Sequence, residues 1–212
     1  NPTGTYFTVK EFDQFMEKVP ERVLVILDEA YFEYAQHLND YPDSMHYRYD
    51  NVITIRTFSK VHGLAGFRIG YGFAHDDLIE NLLKVKLPFE PSWPAQIAAI
   101  AALDDRVYIQ KTVESCKQGM KKMEAVYKKM GINFIPSAAN FITLILETKK
   151  EAKNFSHFML HKGIILRNLT GWGLPNCIRA TIGSNAENER FALCLSEIFS
   201  ESYSDKVINI SN

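Results

Sequence analysis

The stretch Val23–Tyr34, "VLVILDEAYFEY", is an apolar run that ends abruptly at Asp28. A strand that is apolar on both faces is typical of a parallel sheet, because helices cover both sides of such a sheet. We therefore predict a buried strand over Arg22–Leu27 and an α/β fold. In open α/β sheets ligands bind at the carboxyl ends of the strands, so Asp28 is predicted to face a ligand.

A second stretch, Thr54–Gly72, reads "TIRTFSKVHGLAGFRIGYG" and contains a single lysine, Lys60. Thr57 and Ser59 precede this lysine, glycines follow it, and Arg68 comes next among the charged residues. Hydroxyl groups and open backbone amides suit a phosphate. An arginine adds a planar fork of donors that binds phosphate through two bonds. The stretch therefore offers an amine nucleophile beside a phosphate-binding set of groups.

Lys60 comes directly after a second predicted strand, Asn51–Phe58, so we expect it at the same sheet edge as Asp28. Taken alone, an aspartate and a lysine are more often a surface ion pair of little energetic consequence. An amine, a phosphate site and a carboxylate together fit pyridoxal phosphate (PLP). A lysine holds this aldehyde covalently while a carboxylate pairs with its pyridinium nitrogen. Asp28 would supply that carboxylate and keep the ring nitrogen protonated.

The rest of the chain predicts further helices and a second, smaller domain. A third strand is predicted over Phe67–Ala74, and after Gly131 short strands and helices alternate as in a compact α+β unit. We predict a cofactor-binding part over residues 1–130, which ends in a long connecting helix, and a small C-terminal domain over residues 131–212. The tail after Glu201 is expected to fray. The predicted helices are Thr8–Val19, Asp76–Lys86, a buried Pro94–Leu103, Asp105–Met130, Lys149–His161 and Asn185–Phe199.

Composition and charge exclude several classes of function. The 212 residues carry a net charge of −1, which gives no overall attraction to nucleic acid or to an anionic membrane. The longest apolar run, Ile97–Leu103, is too short to span a bilayer. Three widely spaced cysteines predict neither a disulfide framework nor a zinc site, and they favour the reducing cytoplasm. His157 and His161 lie one helical turn apart without a third ligand, so no metal site is predicted.

Four motifs occur in the order found in one enzyme family: "NPTG" at residues 1–4, "DEAY" at 28–31, "TFSKVHGLAGFRIGYG" at 57–72 and "CIRATIG" at 177–183. Together they resemble the fold-type I PLP-dependent aminotransferases over nearly the whole chain. The segment Gly163–Phe191 is most similar to the histidinol-phosphate branch of that family. The resemblance implies part of the mainly parallel-sheet, PLP-binding large domain, followed by a small α+β domain.

The resemblance also implies roles for individual residues. Lys60 matches the catalytic lysine that binds PLP covalently, and Asp28 matches the partner of the pyridinium nitrogen. Asn1 and Tyr31 match the pair that hydrogen-bonds the phenolic oxygen of PLP. The positions that match phosphate ligands are Thr57, Ser59 and Arg68. The positions that match substrate-binding arginines are Arg179, for an amino-acid carboxylate, and Arg167, for the substrate phosphate.

As a whole, the resemblance implies transamination by a cytoplasmic homodimer in histidine biosynthesis. L-Histidinol phosphate and 2-oxoglutarate would give imidazole acetol phosphate and L-glutamate. Another PLP aminotransferase, an amino-acid decarboxylase of the same fold and a catalytically incompetent fragment stay open as alternatives. Glu90 and Asn168 depart from the family pattern, and the acid at Glu90 leaves the substrate less well defined than the cofactor. Because the chain opens inside the "NPTG" turn, an upstream part is expected to be absent and the chain alone is expected to be inactive.

Overall fold

The computed structural model describes residues 1–47 and 49–200, and its contacts divide the chain into two units. One unit is Tyr6–Val113, and the other combines Asn1–Thr5 with the chain from Glu114 onward. This contact boundary lies upstream of the domain boundary predicted near Met130. The division into residues 1–130 and 131–212 stays a prediction, and the expected fraying after Glu201 lies outside the described residues.

The first unit is built on a three-stranded sheet in the order β1-β2-β3. Strand β1 (Val25–Asp28) pairs in parallel with β2 (Val52–Thr57), in a register that places Asp28 opposite Ile55. Strand β3 (Gly70–Phe73) pairs antiparallel with β2. Parallel strands end at the same edge of a sheet, so the segments that follow β1 and β2 begin side by side.

Helices and short turns complete this unit. Helix α1 (Val9–Met16) begins at Thr8 with a capping box, since the Thr8 side chain accepts from the Glu11 N–H and the Glu11 carboxylate accepts from the Thr8 N–H. Phe12 and Met16 then pack with strand residues in a small core. The other elements are α2 (Phe32–Ala35), α3 (Asp76–Val85), α4 (Trp93–Asp104), the start of α5 (Arg106–Lys129) and 3₁₀ turns at Ser44–His46 and Ala65–Phe67.

Two predictions of burial are wrong for the described residues. The strand predicted over Arg22–Leu27 begins at Val25, and Ile26 in its middle is 64% exposed. Helix α4 buries Ala95 and Ala99, but more than half of the Ile97 side chain is exposed, and Ile100 and Leu103 are exposed as well. An apolar residue is compatible with burial, but its own sequence does not determine which neighbour covers it.

The second unit contains a four-stranded antiparallel sheet in the order β4-β5-β7-β6. Strand β6 is short and consists of Arg167 and Asn168. The main core forms where helices pack on this sheet, around Phe155, Met159 and Leu195. The elements are β4 (Asn133–Ile135), β5 (Phe141–Ile145), α6 (Lys149–His161), β6 (Arg167–Asn168), β7 (Cys177–Thr181) and α7 (Asn185–Ser200).

Helix α5 approaches the C-terminal part of the chain closely at Gly119. A Cβ atom at this buried glycine would lie 2.6 Å from Ile182 Cγ2 and 2.8 Å from Asn188 Nδ2. Asn188 cannot move easily, since its side chain accepts from the Gly183 N–H at 3.0 Å and donates to the Gly183 carbonyl at 2.9 Å. A glycine in the middle of a helix is therefore explained by packing rather than by flexibility.

We predict that Gly119→Ala destabilises the protein. The same change at an uncrowded helical position stabilises by about 0.5–1 kcal/mol, but here overpacking should reverse the sign and cost about 1–3 kcal/mol. Urea denaturation of both proteins measures the difference. Lys117→Ala, on the exposed face of the same helix, is the matched control and should stay within about 0.5 kcal/mol of wild type. An alanine variant more stable than wild type would contradict the packing argument.

Candidate active site

The predicted site residues fall into two groups, and each group belongs to one unit. The first begins at the carboxyl end of β1, where Asp28 is exposed and its Oδ1 accepts a hydrogen bond from the Ala30 N–H at 3.0 Å. No other hydrogen bond to the Asp28 carboxylate occurs among residues 1–47 and 49–200. Its Oδ2 can therefore accept a hydrogen bond from an N–H or O–H group of a ligand.

Lys60 lies in a tight turn that follows β2. The Ser59 N–H donates to Thr57 Oγ1 at 3.0 Å, and the Lys60 carbonyl accepts from the Gly63 N–H at 3.0 Å. Gly63 has a φ of +72°, a left-handed conformation that glycine adopts without strain. The turn holds the amine against an aromatic face, since Lys60 Nζ lies 5.4 Å from the centroid of the Tyr31 ring. The structure thus brings together the lysine and the tyrosine that match site residues of the family.

Arg68 completes the first group. Its Nη1 atom donates to the Ala65 carbonyl at 2.9 Å and approaches Ser59 Oγ at 3.4 Å. The backbone at Arg68 is left-handed, with a φ of +52°, which is uncommon for a residue with a side chain. Such strained positions cluster at ligand sites, where the surrounding structure maintains them. The hydroxyl of Ser59 and the guanidinium of Arg68 are therefore arranged as one set of donors.

The second group includes the opening turn of the chain. Arg179 Nη1 donates to Asn1 Oδ1 at 2.6 Å, and Thr143 Oγ1 donates to the Pro2 carbonyl at 3.0 Å. The Gly4 carbonyl accepts from the Ala138 N–H at 2.8 Å. These bonds hold the turn on the sheet of the second unit, although 178 positions separate Asn1 from Arg179. Asn1 thus orients the arginine that the sequence predicts as a carboxylate ligand.

Arg167 and Arg179 are direct partners across the β6–β7 ladder. Side chains at such positions are close neighbours on one face of the sheet, and like charges there destabilise the pair. Arg179 is held over the Phe141 ring at 4.7 Å from its centroid, while Arg167 is exposed. An anion bound between two guanidinium groups in this arrangement would relieve their repulsion.

The sequence argument missed a buried clamp beside Asp28. Glu29 is only 3% exposed, and its Oε2 accepts from Arg56 Nε at 2.8 Å and lies 2.7 Å from Arg56 Nη2. Glu29 Oε1 accepts from the Ser44 N–H at 3.1 Å, and Arg56 Nη2 also donates to Asp43 Oδ1 at 3.2 Å. Phe32 stacks on the guanidinium at 3.4 Å. Consecutive residues of a strand point to opposite faces, and this signal could have separated Glu29 from Asp28.

A second missed contact joins His62 and Glu33. His62 Nε2 lies 3.7 Å from Glu33 Oε1, and the side chains are only 3% and 12% exposed. Burial raises the pKa of Glu33 above its usual range, while its own backbone N–H, His62 and Arg56 act in the opposite direction. The sequence places His62 near Lys60 but gives no sign of its partner.

Other candidates carry no site among the described residues. His157 and His161 lie with their Nε2 atoms 2.9 Å apart, and the described part of the chain contains no cluster of three or more metal-ligating side chains. Burial raises the pKa of the Cys116 thiol to about 11, which disfavours the reactive thiolate. None of the helices within residues 1–47 and 49–200 has the length and apolar character that a membrane span requires.

Comparisons with known proteins agree on one family. The profile of "Aminotransferase class I and II" matches residues 1–194. The chain is 44% identical over 193 residues to histidinol-phosphate aminotransferase 2 of Carboxydothermus hydrogenoformans, covering 90% of this chain and 53% of that protein. It is 42% identical over 203 residues to the histidinol-phosphate aminotransferase of a Geobacillus species, covering 95% and 55%. The chain thus spans about half the length of the curated relatives it matches.

Solved structures give the same result. The crystal structure of histidinol-phosphate aminotransferase from Sinorhizobium meliloti in complex with pyridoxal-5'-phosphate superimposes with a TM-score of 0.86 at 30% identity, over 94% of this chain and 55% of that one. Aspartate aminotransferase from Thermotoga maritima superimposes with a TM-score of 0.78 at 19% identity, which is a likeness of fold. The predicted α/β fold of a fold-type I transferase is confirmed.

The Glu29–Arg56 clamp should be essential for folding of the first unit. We predict that Glu29→Ala lowers the free energy of unfolding by about 3–5 kcal/mol, because it leaves a buried guanidinium without its main partner. Asp43→Ala is the matched control: its carboxylate binds the same guanidinium but is 31% exposed, so its loss should cost about 1 kcal/mol. Urea denaturation followed by circular dichroism measures both. Equal costs for the two variants would contradict a dominant role of Glu29.

Proposed function

The chain belongs to the class I and II aminotransferases, and we propose that it serves PLP-dependent transamination between L-histidinol phosphate and 2-oxoglutarate. The products would be imidazole acetol phosphate and L-glutamate. The observation that supports the proposal is that a carboxylate, a lysine amine and a set of phosphate donors lie at or just after the ends of two adjacent parallel strands, with the amine held at the Tyr31 ring. The names of the relatives supply the substrate.

The residues of the first group fit PLP by the chemistry of their donors. Ser59, Arg68 and Thr57 offer hydroxyl and guanidinium donors for a phosphate, and a charge-assisted bond to phosphate contributes about 1.5–3 kcal/mol. Lys60 offers the amine, held at the Tyr31 ring. Asp28 offers an exposed carboxylate with one oxygen engaged by the backbone. Each part of the cofactor would meet a group of complementary charge.

When bound, PLP supplies an electron sink that stabilises a carbanion at the substrate α-carbon. Asp28 would keep the pyridinium nitrogen protonated by offering its negative charge. Lys60 Nζ would first anchor the cofactor and then, once the substrate amine has replaced it, take the proton from the α-carbon as a general base. Tyr31 is proposed to hydrogen-bond the phenolic oxygen of the cofactor.

The second group would bind the charged ends of the substrates. Arg179, oriented by Asn1 and Phe141, presents a planar fork that suits a carboxylate. Arg167, its cross-strand partner, would take the phosphate of histidinol phosphate. An anion between the two arginines removes the repulsion that they exert on each other, so the bare pair is poised for an anionic ligand.

We also infer a homodimer and a cytoplasmic location. The first unit exposes large apolar side chains near and within α3 and α4: Phe89 is 96%, Val85 76% and Trp93 72% exposed. Contiguous exposed apolar surface marks an interaction site, and a second copy of the chain would cover it. The three cysteines are free thiols, which supports a reducing compartment.

The cofactor assignment predicts covalent labelling of Lys60. The chain treated with excess PLP and then with borohydride should carry the adduct on Lys60, as peptide mass spectrometry will show. Lys60→Arg should lose essentially all of this site-specific adduct, since a guanidinium does not form the linkage, whereas Lys84→Arg, an exposed control on α3, should retain it. An adduct spread over several lysines, unchanged in Lys60→Arg, would refute the assignment. Glutamate formation from both substrates then distinguishes an active transferase from an incompetent fragment.

The substrate assignment predicts unequal effects of lysine at the two arginines. Arg167→Lys should weaken binding of L-histidinol phosphate about tenfold, the loss of one charge-assisted bond, and should change binding of 2-oxoglutarate less. Arg179→Lys should weaken both, because the phosphate of histidinol phosphate, bound between the two arginines, and a carboxylate of 2-oxoglutarate would each contact Arg179. Isothermal titration calorimetry measures the four affinities. Arg190→Lys, at an exposed arginine that donates to the Lys162 carbonyl, is the control. Equal losses for both ligands in Arg167→Lys would show that Arg167 does not select the phosphate.

A further inference from the structure

The buried contact between His62 and Glu33 joins the two segments that carry Lys60 and Tyr31. His62 is two positions after Lys60 and lies inside the turn that the Lys60 carbonyl and the Gly63 N–H close at 3.0 Å. Glu33 is two positions after Tyr31 and lies in the first turn of α2, where the Tyr31 carbonyl accepts from two later N–H groups. Fixing the distance between His62 and Glu33 therefore restricts the distance between Lys60 and Tyr31.

The contact brings the two side chains together without an ordinary hydrogen bond. The separation of 3.7 Å between His62 Nε2 and Glu33 Oε1 exceeds the usual hydrogen-bond range, so the two polar atoms face each other at contact distance. Three groups act on the Glu33 carboxylate: His62, Arg56 and, with opposite sign, Glu29. Arg56 already faces Glu29 and Asp43. Arg56 thus forms its ion pairs with other carboxylates, and His62 Nε2 is the group that faces Glu33 Oε1.

The surroundings of His62 leave it no other polar role among the described residues. Its Nδ1 atom is buried without a hydrogen-bond partner there. Its ring packs against Phe58, with centroids 4.8 Å apart, and Val61 beside it is fully buried. An apolar ring would satisfy this packing equally well. Glu33 is thus the one described polar neighbour of the His62 ring nitrogens, and a histidine is a costly choice for a buried ring that only packs, because a buried polar group without a hydrogen bond is unfavourable.

We propose that the His62–Glu33 contact is a tie that holds the amine of Lys60 against the Tyr31 ring, so that both residues are positioning residues for the site. The tie deepens the proposed function, on which it rests for the identity of the aldehyde that reaches Lys60. The contact and the two residues that it positions all belong to the protein chain. It can therefore be tested on the protein without the cofactor as well as with it.

The test uses the whole chain with His62→Phe, Glu33→Gln and the double variant. His62→Phe keeps a ring against Phe58, and Glu33→Gln keeps the shape of the side chain. Acetic anhydride labelling at one pH, read by mass spectrometry as the ratio of Lys60 to Lys84, reports how firmly the amine is held. Each single variant should raise this ratio about threefold and lower the yield of the borohydride-fixed adduct about tenfold, the scale of coupling between residues in contact. The double variant should add nothing further.

Two controls separate positioning from folding and from phosphate binding. All labelling is done well below the thermal midpoint that circular dichroism gives for each variant, and a His75→Phe variant at an exposed histidine should behave as wild type. Pyridoxal, which lacks the phosphate, should lose adduct on Lys60 in the tie variants as strongly as PLP does. Arg68→Ala, by contrast, should lower the yield of adduct on Lys60 with PLP but not with pyridoxal.

The outcomes distinguish the tie from the proposed function. An unchanged Lys60 to Lys84 ratio in both single variants, or effects that add in the double variant, would overturn the tie even where PLP still labels Lys60. A wild-type chain that forms no adduct on Lys60 would overturn the proposed function, and the acetylation ratios would still decide for or against the tie.

Discussion

The parallel pairing of β1 with β2 is the constraint on which the predicted cofactor site depends. Its register places Asp28 opposite Ile55, so the chain leaves both strands at one edge of the sheet. If β1 were shifted by a single residue, every side chain would change face. Asp28 would then point into the protein and Glu29 outward. The chemistry assigned to Asp28 is therefore a property of the register before it is a property of the residue.

The second unit brings its predicted site residues together through antiparallel pairing instead of through strand ends. Its strands are antiparallel, so neighbouring side chains come from residues that are close across the ladder rather than from strand ends. Arg167 and Arg179 are neighbours for this reason. Two like charges opposite each other destabilise a sheet, so the pair is not explained by the stability of the fold. Asn1 and Phe141 orient Arg179. One arginine is thus held in position while its partner is exposed.

The sequence carries local signals for the proposed chemistry of the site, but few for the contacts that surround it. Lys60, Arg68 and the capping box at Thr8 carry local signals, because glycines, hydroxyls and capping residues act within a few positions. The Glu29–Arg56 and His62–Glu33 contacts join residues 27 and 29 positions apart, and no local pattern announces them. The exposure of Ile26 could not be predicted for a related reason, since burial depends on which element packs over a strand.

The acids at the end of β1 show how one dipeptide serves two purposes. Asp28 is exposed and partly satisfied by the Ala30 N–H, so its charge remains available to a ligand. Glu29 is buried and satisfied by Arg56 and Ser44. A well-packed hydrophobic pair in place of Glu29 and Arg56 would often be as stable. Hydrophobic contacts are not directional, however, so such a pair would not fix the orientation of these two side chains. Three charge-assisted contacts of one guanidinium instead hold Glu29, the residue next to Asp28, in a defined position.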